Sequence, residues 1–265
     1  MENSPVPLQE SSPTALTDIR LVATDMDGTL TQTGKFTPAL LRSLTALAAA
    51  EIPTVIVTGR SAGWVQGVAT YLPVVGAIAE NGGVWIPADS GEPMPLVEIS
   101  AIAQHRERLA HVFAQLQATF PDLQPSTDNP FRLTDWTFDI GQLTPADLTK
   151  IDQTCQAAGW GFTYSTVQCH IRLAAQDKGI ALQRVLQQQF PNITAHQVVT
   201  VGDSPNDEGL FEAERFPISV GVANVQHYCD RLRHLPTFIT ASTEVQGFQE
   251  LAQVLLRAKS SAAIP

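Results

Sequence analysis

Apolar residues in the first third of the chain form short continuous runs, separated by longer stretches with helical spacing. The runs at 19–25, 55–57 and 77–79 have the length and continuity of buried strands. Between the first two, Thr37-Pro38 has the pattern of a helix start, and leucine then recurs at helical spacing. Strands that alternate with helices predict a parallel sheet and an α/β fold.

The rhythm changes after residue 86. A helix pattern at 100–119 and a strand pattern at 132–140 are followed by a helix and two more strands, which is an α+β order. The alternation of helix and strand resumes at Lys178 and continues to a closing helix. We therefore predict an α+β module at 87–174, inserted into a core made of 18–86 and 175–258.

The two ends of the chain are predicted to be disordered: residues 1–17 are rich in Ser, Pro and Thr, and a short tail follows residue 258. The N-terminal stretch lacks the basic and apolar regions of a signal peptide. No apolar run approaches the roughly 20 residues that a membrane helix needs. We expect a cytoplasmic protein that makes no use of a membrane.

Charge narrows the range of partners. The 265 residues carry a formal net charge of −10, which argues against a nucleic acid or an anionic membrane as a partner. A small phosphate ligand is still compatible, because one lysine, a few backbone amides and a divalent cation can hold it. Three cysteines, Cys155, Cys169 and Cys229, are too few for a disulfide framework and are predicted to be buried thiols.

Polar clusters follow three of the predicted strands: Asp25 with Asp27, Thr58-Gly59-Arg60, and Asp203 with Asp207. Because ligands bind at the carboxyl ends of parallel strands, these clusters are candidates for one shared site. A simple turn is the alternative for Asp-x-Asp-Gly. A calcium-binding EF-hand is excluded, because its glycine and glutamate positions hold leucine and phenylalanine here.

Four elements in order resemble the motifs of the haloacid dehalogenase-like superfamily of phosphatases. They are Asp-Met-Asp-Gly-Thr at 25–29, Thr-Gly-Arg at 58–60, Lys178, and Gly-Asp-Ser-Pro-Asn-Asp at 202–207. The resemblance covers 19–86 and 175–258 and implies a Rossmann-like core. Asn-Gly-Gly at 81–83 and the long insertion resemble the subfamily with a C2-type cap. That subfamily includes Cof-type sugar phosphatases, sucrose-phosphate and mannosylphosphoglycerate phosphatases, and phosphomannomutases.

The resemblance implies a role for each motif residue. Asp25 is the nucleophile and Asp27 the general acid and base. Mg²⁺ is the expected cofactor, with four implied ligands: Asp25, the backbone carbonyl of Asp27, Asp203 and Asp207. Phosphate is expected to contact Thr58, Gly59, Lys178 and Asn206.

Some of these positions have ordinary alternatives. Thr58 is also compatible with a strand-end turn, Lys178 with a solvated helix start, and Arg60 with a surface salt bridge.

The inserted module is expected to cover the site and to read the substrate. Arg132, His170 and Arg172 are the candidates for this contact, and His170 and Arg172 share strand parity. Trp136 is a candidate for stacking on a sugar ring. The alternatives are surface positions for the basic residues and a core position for the tryptophan.

The function that the resemblance implies is Mg²⁺-dependent hydrolysis of a small phosphorylated metabolite, with a sugar phosphate as the first expectation. A phosphosugar mutase uses the same four motifs but returns the phosphoryl group to the substrate. A catalytically silent binding module is the third alternative. The sequence identifies neither the substrate nor the oligomeric state.

Overall fold

The computed structural model describes residues 4–11, 15–165 and 167–262. In chain order the strands are β1 (Val6–Pro7), β2 (Leu21–Thr24), β3 (Thr54–Val57), β4 (Gly76–Ala79), β5 (Val84–Pro87), β6 (Met94–Pro95), β7 (Trp136–Asp139), β8 (Gly161–Tyr164), β9 (Gln168–Arg172), β10 (Val198–Gly202), β11 (Ser219–Gly221) and β12 (Phe238–Ile239). The α-helices are α1 (Pro38–Ala49), α2 (Ala62–Tyr71), α3 (Ile102–Thr119), α4 (Pro145–Ala157), α5 (Lys178–Gln189) and α6 (Glu244–Ala262). Short 3₁₀ helices lie at Leu8–Glu10, Asn129–Phe131, Ala195–Gln197, Pro205–Leu210 and Ala223–Arg231.

The larger sheet has nine strands in the order β1-β12-β11-β10-β2-β3-β4-β5-β6. Across the sheet, neighbouring strands from β1 through β12, β11, β10, β2 and β3 to β4 pair in parallel. The pairs β4–β5 and β5–β6 are antiparallel. This parallel-dominated sheet with helices confirms the predicted α/β class. Strand β2 lies between β10 and β3, so its carboxyl end opens at the middle of the sheet.

Both faces of β2 are covered, as in most parallel sheets. Val22 packs in a cluster with side chains of α1 and α6, whereas Leu21 and Ala23 pack with side chains of α5. Helix α1 begins where its sequence predicts, because the Thr37 side chain accepts a hydrogen bond from the backbone N–H of Leu40, 3.2 Å away.

The second sheet has the order β7-β9-β8 and is antiparallel. Helices α3 and α4 pack on it around a separate apolar cluster that includes Leu109, Ile151 and Phe138. We refer to this unit, residues 99–174, as the cap.

Three predicted boundaries need correction. Strand β6 pairs with β5 in the larger sheet, and Leu96 packs with Trp85 of that sheet, so the core continues past residue 87. In the N-terminal stretch that was predicted to be disordered, β1 pairs with β12 and Leu8 is buried. Helix α6 continues through the predicted tail to Ala262. For β1, the partner strand lies near the other end of the chain, so local composition does not indicate the pairing.

None of the described helices has the length and hydropathy needed to cross a bilayer. Cys155 and Cys169 are buried as predicted, whereas Cys229 is only half-buried.

Candidate functional site

The three polar clusters follow neighbouring strands. Asp25 comes directly after β2, Thr58 after β3 and Asp203 after β10, and β2 lies between the other two strands. The backbone N–H of Asp25 donates to the carbonyl of Val201, 2.8 Å away, so the hydrogen bonding between β2 and β10 continues as far as Asp25. The sheet order therefore brings the clusters to one edge, as the sequence analysis expected.

Lys178 lies inside this edge and is fully buried. It is the first residue of α5, and its Nζ lies 2.6 Å from Asp25 Oδ1 and 2.7 Å from Asp207 Oδ1. Burial by itself would lower the pKa of Lys178, but the carboxylates of Asp207 and Asp25 outweigh it and raise that pKa. Lys178 is therefore a fixed cation between two acids rather than a solvated helix start.

Asp25, Asp203 and Asp207 form a buried carboxylate cluster, in which one oxygen from each lies within 4.8 Å of the others. Burial, followed by repulsion from Asp207, raises the pKa of Asp25 to about 7. Burial, followed by repulsion from Asp25 and Asp207, raises the pKa of Asp203 well above its ordinary value. One ammonium group cannot balance three ionised carboxylates, which is why the pKa values of Asp25 and Asp203 are both raised.

This cluster fits a hard divalent cation such as Mg²⁺, which prefers carboxylate and carbonyl oxygens. The backbone beside it is shaped for close approach. Gly28 has a φ of +85°, and a Cβ at this position would lie 2.5 Å from Asp203 Oδ2. Only glycine lets the loop after Asp27 pack against the Asp203 carboxylate.

The two oxygens of Asp207 have separate contacts. Oδ1 faces Lys178, and Oδ2 accepts hydrogen bonds from the backbone N–H groups of Asp203 (2.9 Å) and Ser204 (3.1 Å). Asp207 thus shapes the loop that presents Asp203. The neighbouring Asn206 donates to Asn81 Oδ1, 3.0 Å away, and lies at the edge of the same site.

The side chain of Asp27 points to Arg60. Arg60 Nε donates to Asp27 Oδ2 at 2.8 Å, and a second guanidinium nitrogen donates to Oδ1 at 2.7 Å. This bidentate pair is partly exposed. The sequence analysis left Arg60 open as a surface salt-bridge residue. The structure shows that its partner is Asp27 itself, so Arg60 orients this carboxylate.

A small cavity of about 10 Å³ lies over these groups. Its core walls include Asp25, Asp27, Thr58 and Gly59, and its cap walls include Gln168 and His170. This volume holds about one water molecule. The cap is therefore closed over the strand ends, and the cavity leaves no room for the leaving group of a substrate.

His170 packs directly on the Thr58-Gly59 loop. A Cβ at residue 59 would lie 3.0 Å from His170 Cε1, so glycine is what allows the cap to approach the loop. Nδ1 of His170 lies 2.9 Å from Asp135 Oδ2. Burial lowers the pKa of His170, and Asp135 only partly opposes this effect.

Arg132 is buried and connects cap and core. Its guanidinium donates to Asp128, Asp135 and Gln168 within the cap, and to the backbone carbonyl of Gly59 at 2.9 Å. All of these partners belong to the protein, so Arg132 holds the cap against the loop at residue 59. Trp136 is half-buried and packs with Phe113 against the apolar cluster of the cap, which agrees with the core alternative that the sequence analysis left open.

The sequence analysis missed three polar residues of this region: Glu80, Asp135 and Asn224. Buried Glu80 accepts hydrogen bonds from the backbone N–H groups of Ala62 in the core and Thr134 in the cap, and so connects the two. Asn224 Nδ2 donates to Asp203 Oδ2 at 2.6 Å and to the Gly28 carbonyl at 3.1 Å. Glu80 and Asn224 follow the ends of β4 and β11, so the strand-end rule that identified Asp25 was also available for them.

Comparison with known proteins agrees with this geometry. A family model described as sucrose-6F-phosphate phosphohydrolase matches residues 19–250. A curated phosphoglycolate phosphatase of Methanothrix thermoacetophila is 27% identical over 210 residues, which are 78% of this chain and 85% of the relative.

Two solved structures share the fold. One, from Thermoplasma acidophilum, has a TM-score of 0.71 and 18% identity and covers 90% of this chain and 99% of its own. The other is the sucrose-phosphatase of Synechocystis sp. PCC6803, with a TM-score of 0.64, 18% identity and coverage of 89% and 97%. The family model spans most of the chain, and the fold matches over about nine-tenths of it. The chain therefore belongs to the sucrose-6F-phosphate phosphohydrolase family and is a phosphoric monoester hydrolase with a haloacid dehalogenase-like core and a C2-type cap.

Proposed function

We propose that the protein is a Mg²⁺-dependent phosphomonoesterase that works through a phosphorylated Asp25. The observation that carries this proposal is the position of Asp25: it is buried, Lys178 Nζ lies 2.6 Å from it, and it belongs to a carboxylate cluster suited to a divalent cation. Asp25, Asp203 and the Asp27 backbone carbonyl would hold Mg²⁺, which would supply the positive charge that reduces repulsion between the phosphate and these acids. Asp207 would complete or support this ligand set.

The protein groups divide the reaction into two steps. In the first, an Asp25 oxygen attacks phosphorus, the bond from phosphorus to the ester oxygen breaks, and Asp27 gives its proton to the departing alcohol. In the second, Asp27 takes a proton from water, whose oxygen attacks phosphorus and releases phosphate from Asp25. Lys178, Thr58 and the Gly59 amide stabilise the charge on the phosphoryl oxygens in both steps. Arg60 must release Asp27 before this carboxyl group can reach the leaving oxygen.

Two substrate classes have support. The family resemblance in the sequence implies a sugar phosphate, and the matching family is described as sucrose-6F-phosphate phosphohydrolase. The curated relatives are named for phosphoglycolate instead. We propose a small phosphorylated metabolite from these classes, and a cytoplasmic location remains a prediction from the sequence.

The test is a panel of phosphorylated sugars, phosphoglycerates and phosphoglycolate, assayed for phosphate release with Mg²⁺ and with EDTA. We expect hydrolysis of at least one member, a loss of about 100-fold or more in EDTA, and recovery when Mg²⁺ is restored. If no member is hydrolysed with Mg²⁺, the binding-module alternative replaces this proposal. A requirement for a sugar bisphosphate activator would instead indicate a mutase.

Asn224 provides a more local prediction. Replacing it by alanine removes the donor to Asp203 and the link to Gly28, and such supporting hydrogen bonds typically change metal affinity or activity about 10- to 100-fold. We expect the Mg²⁺ concentration for half-maximal activity to rise by this factor in Asn224→Ala. The control is Asn192→Ala, at an exposed position far from the cluster. An unchanged Mg²⁺ titration in Asn224→Ala would show that Asp203 needs no such support.

A further inference from the structure

A second, larger cavity of about 360 Å³ adjoins the small one, and Asn206 borders both. It lies between the cap hairpin β8–β9 and the core around the start of α5 and the 3₁₀ helix that follows β10. The small cavity has no room for a leaving group, so an ester whose phosphate lies at Asp25 needs adjoining space. The larger cavity offers such space beside the strand ends.

Strand β9 runs along both cavities. His170 borders the small cavity, and Arg172, two residues further on, borders the large one. Residues i and i+2 of a strand share a face, so the two cavities lie along the same face of β9. Asn206 borders both cavities, so a ligand whose phosphate lies at Asp25 can extend into the large cavity beside Arg172.

The guanidinium of Arg172 lacks an acidic partner. One of its nitrogens donates to the backbone carbonyls of Leu173 and Gln176, and buried Nε has no hydrogen-bond partner among the described residues. No carboxylate lies within salt-bridge distance of it in the described part of the chain. Burial accordingly lowers the pKa of Arg172, and the more distant Asp177, Asp135 and Asp152 only partly oppose this.

The acids in the wall of the large cavity already have donors. Glu208 accepts from the backbone N–H groups of residues 233 and 234, and Asp177 accepts from the first turn of α5. Glu212 is paired with Arg215, 2.9 Å away. Of the two arginines described in this wall, Arg172 is thus the one with no carboxylate within salt-bridge distance among the described residues.

The other two cap candidates are differently placed. Arg132 has four partners within the protein, and His170 is bonded to Asp135 and packed on Gly59. A half-buried arginine without a counter-charge is costly, and a bound anion that forms charge-assisted hydrogen bonds relieves that cost.

We infer that Arg172 is the specificity-determining residue of the cap and that it binds a carboxylate on the leaving group. The substrate is then the phosphomonoester of a short hydroxy acid rather than of a neutral sugar. This inference rests on the proposed phosphatase function and adds the residue and the chemical class.

The test compares two esters that differ at one group: phosphoglycolate and 2-hydroxyethyl phosphate, in which a hydroxymethyl group replaces the carboxylate. The readout is the ratio of their kcat/KM values. We expect the unaltered protein to favour phosphoglycolate, and we expect the ratio to fall about 10- to 100-fold in Arg172→Gln. Arg172→Lys keeps the charge but loses the fork, and its ratio should lie between the other two.

Arg215→Gln is the matched control, since it removes a positive charge from the same wall that is already paired with Glu212. Its ratio should stay within about twofold of the unaltered protein, as expected for a partly exposed ion pair. Because each ratio compares two substrates of one protein sample, partial misfolding does not alter it. The inference is overturned if the unaltered protein shows no preference, if Arg172→Gln retains the ratio, or if Arg215→Gln lowers it equally. If neither ester nor p-nitrophenyl phosphate is hydrolysed, the proposed function itself fails.

Discussion

Asp25→Asn is expected to lower kcat by about 10⁴-fold or more, because the amide cannot accept the phosphoryl group as a carboxylate does. The change preserves the shape of a side chain that is almost fully buried. The measurement is phosphate release under saturating substrate, together with acid-stable trapping of labelled phosphate on the protein. Unaltered protein should trap label and the variant should not. Full-speed hydrolysis by the variant would remove the basis of the proposed mechanism.

The same variant also gives a check on folding. Burial raises the pKa of Asp25 from 3.8 to about 7, so the folded state binds a proton more tightly than the unfolded chain. The contribution of this group to stability therefore falls as the pH rises from about 4 to 7 and remains lost above that range. Asparagine cannot ionise, so in metal-free buffer at pH 8 the variant should unfold at the same temperature as the unaltered protein or higher. Asp89→Asn, the same change at an exposed turn, should alter neither activity nor unfolding.

Lys178→Met is expected to lower kcat/KM by about 10²- to 10³-fold, because it removes a fixed cation from the phosphoryl oxygens. It should also destabilise the metal-free protein by about 3–5 kcal/mol, since Asp25 and Asp207 then lose the partner that both contact in the buried site. Steady-state kinetics and urea unfolding in EDTA measure the two effects.

Lys178→Gln, which keeps donor groups without charge, separates hydrogen bonding from electrostatics if the methionine variant folds poorly. Lys35→Met, at an exposed position, is the matched control and should leave both quantities unchanged. If both Lys178 variants kept a kcat/KM within about threefold of the unaltered protein, transfer of the phosphoryl group would not depend on this cation. That result would return Lys178 to the role of a structural counter-ion for the two acids.

The core site was accessible from the sequence because its residues obey a local rule. Asp25, Thr58 and Asp203 each follow an apolar strand, and neighbouring parallel strands bring their carboxyl ends together. Lys178 has no such local signal, and only the order of the four motifs selected it. The boundaries at residues 17 and 87 were wrong because β1 and β6 are short, exposed strands. Strands β1 and β6 form because they pair with β12 and β5, and their own composition does not predict them.

The sequence by itself determined the α/β class, the order of core and insertion, and the strand-end acids, since hydrophobic periodicity and motif spacing are local properties of the chain. The tertiary structure alone decided which charges meet. It pairs Asp27 with Arg60, surrounds Arg132 with partners and, among the described residues, places no carboxylate within salt-bridge distance of Arg172. The physical reason is that the energy of a charge depends on its burial and on the distance to opposite charges. Both quantities depend on contacts between residues far apart in the chain, so the local sequence does not predict them.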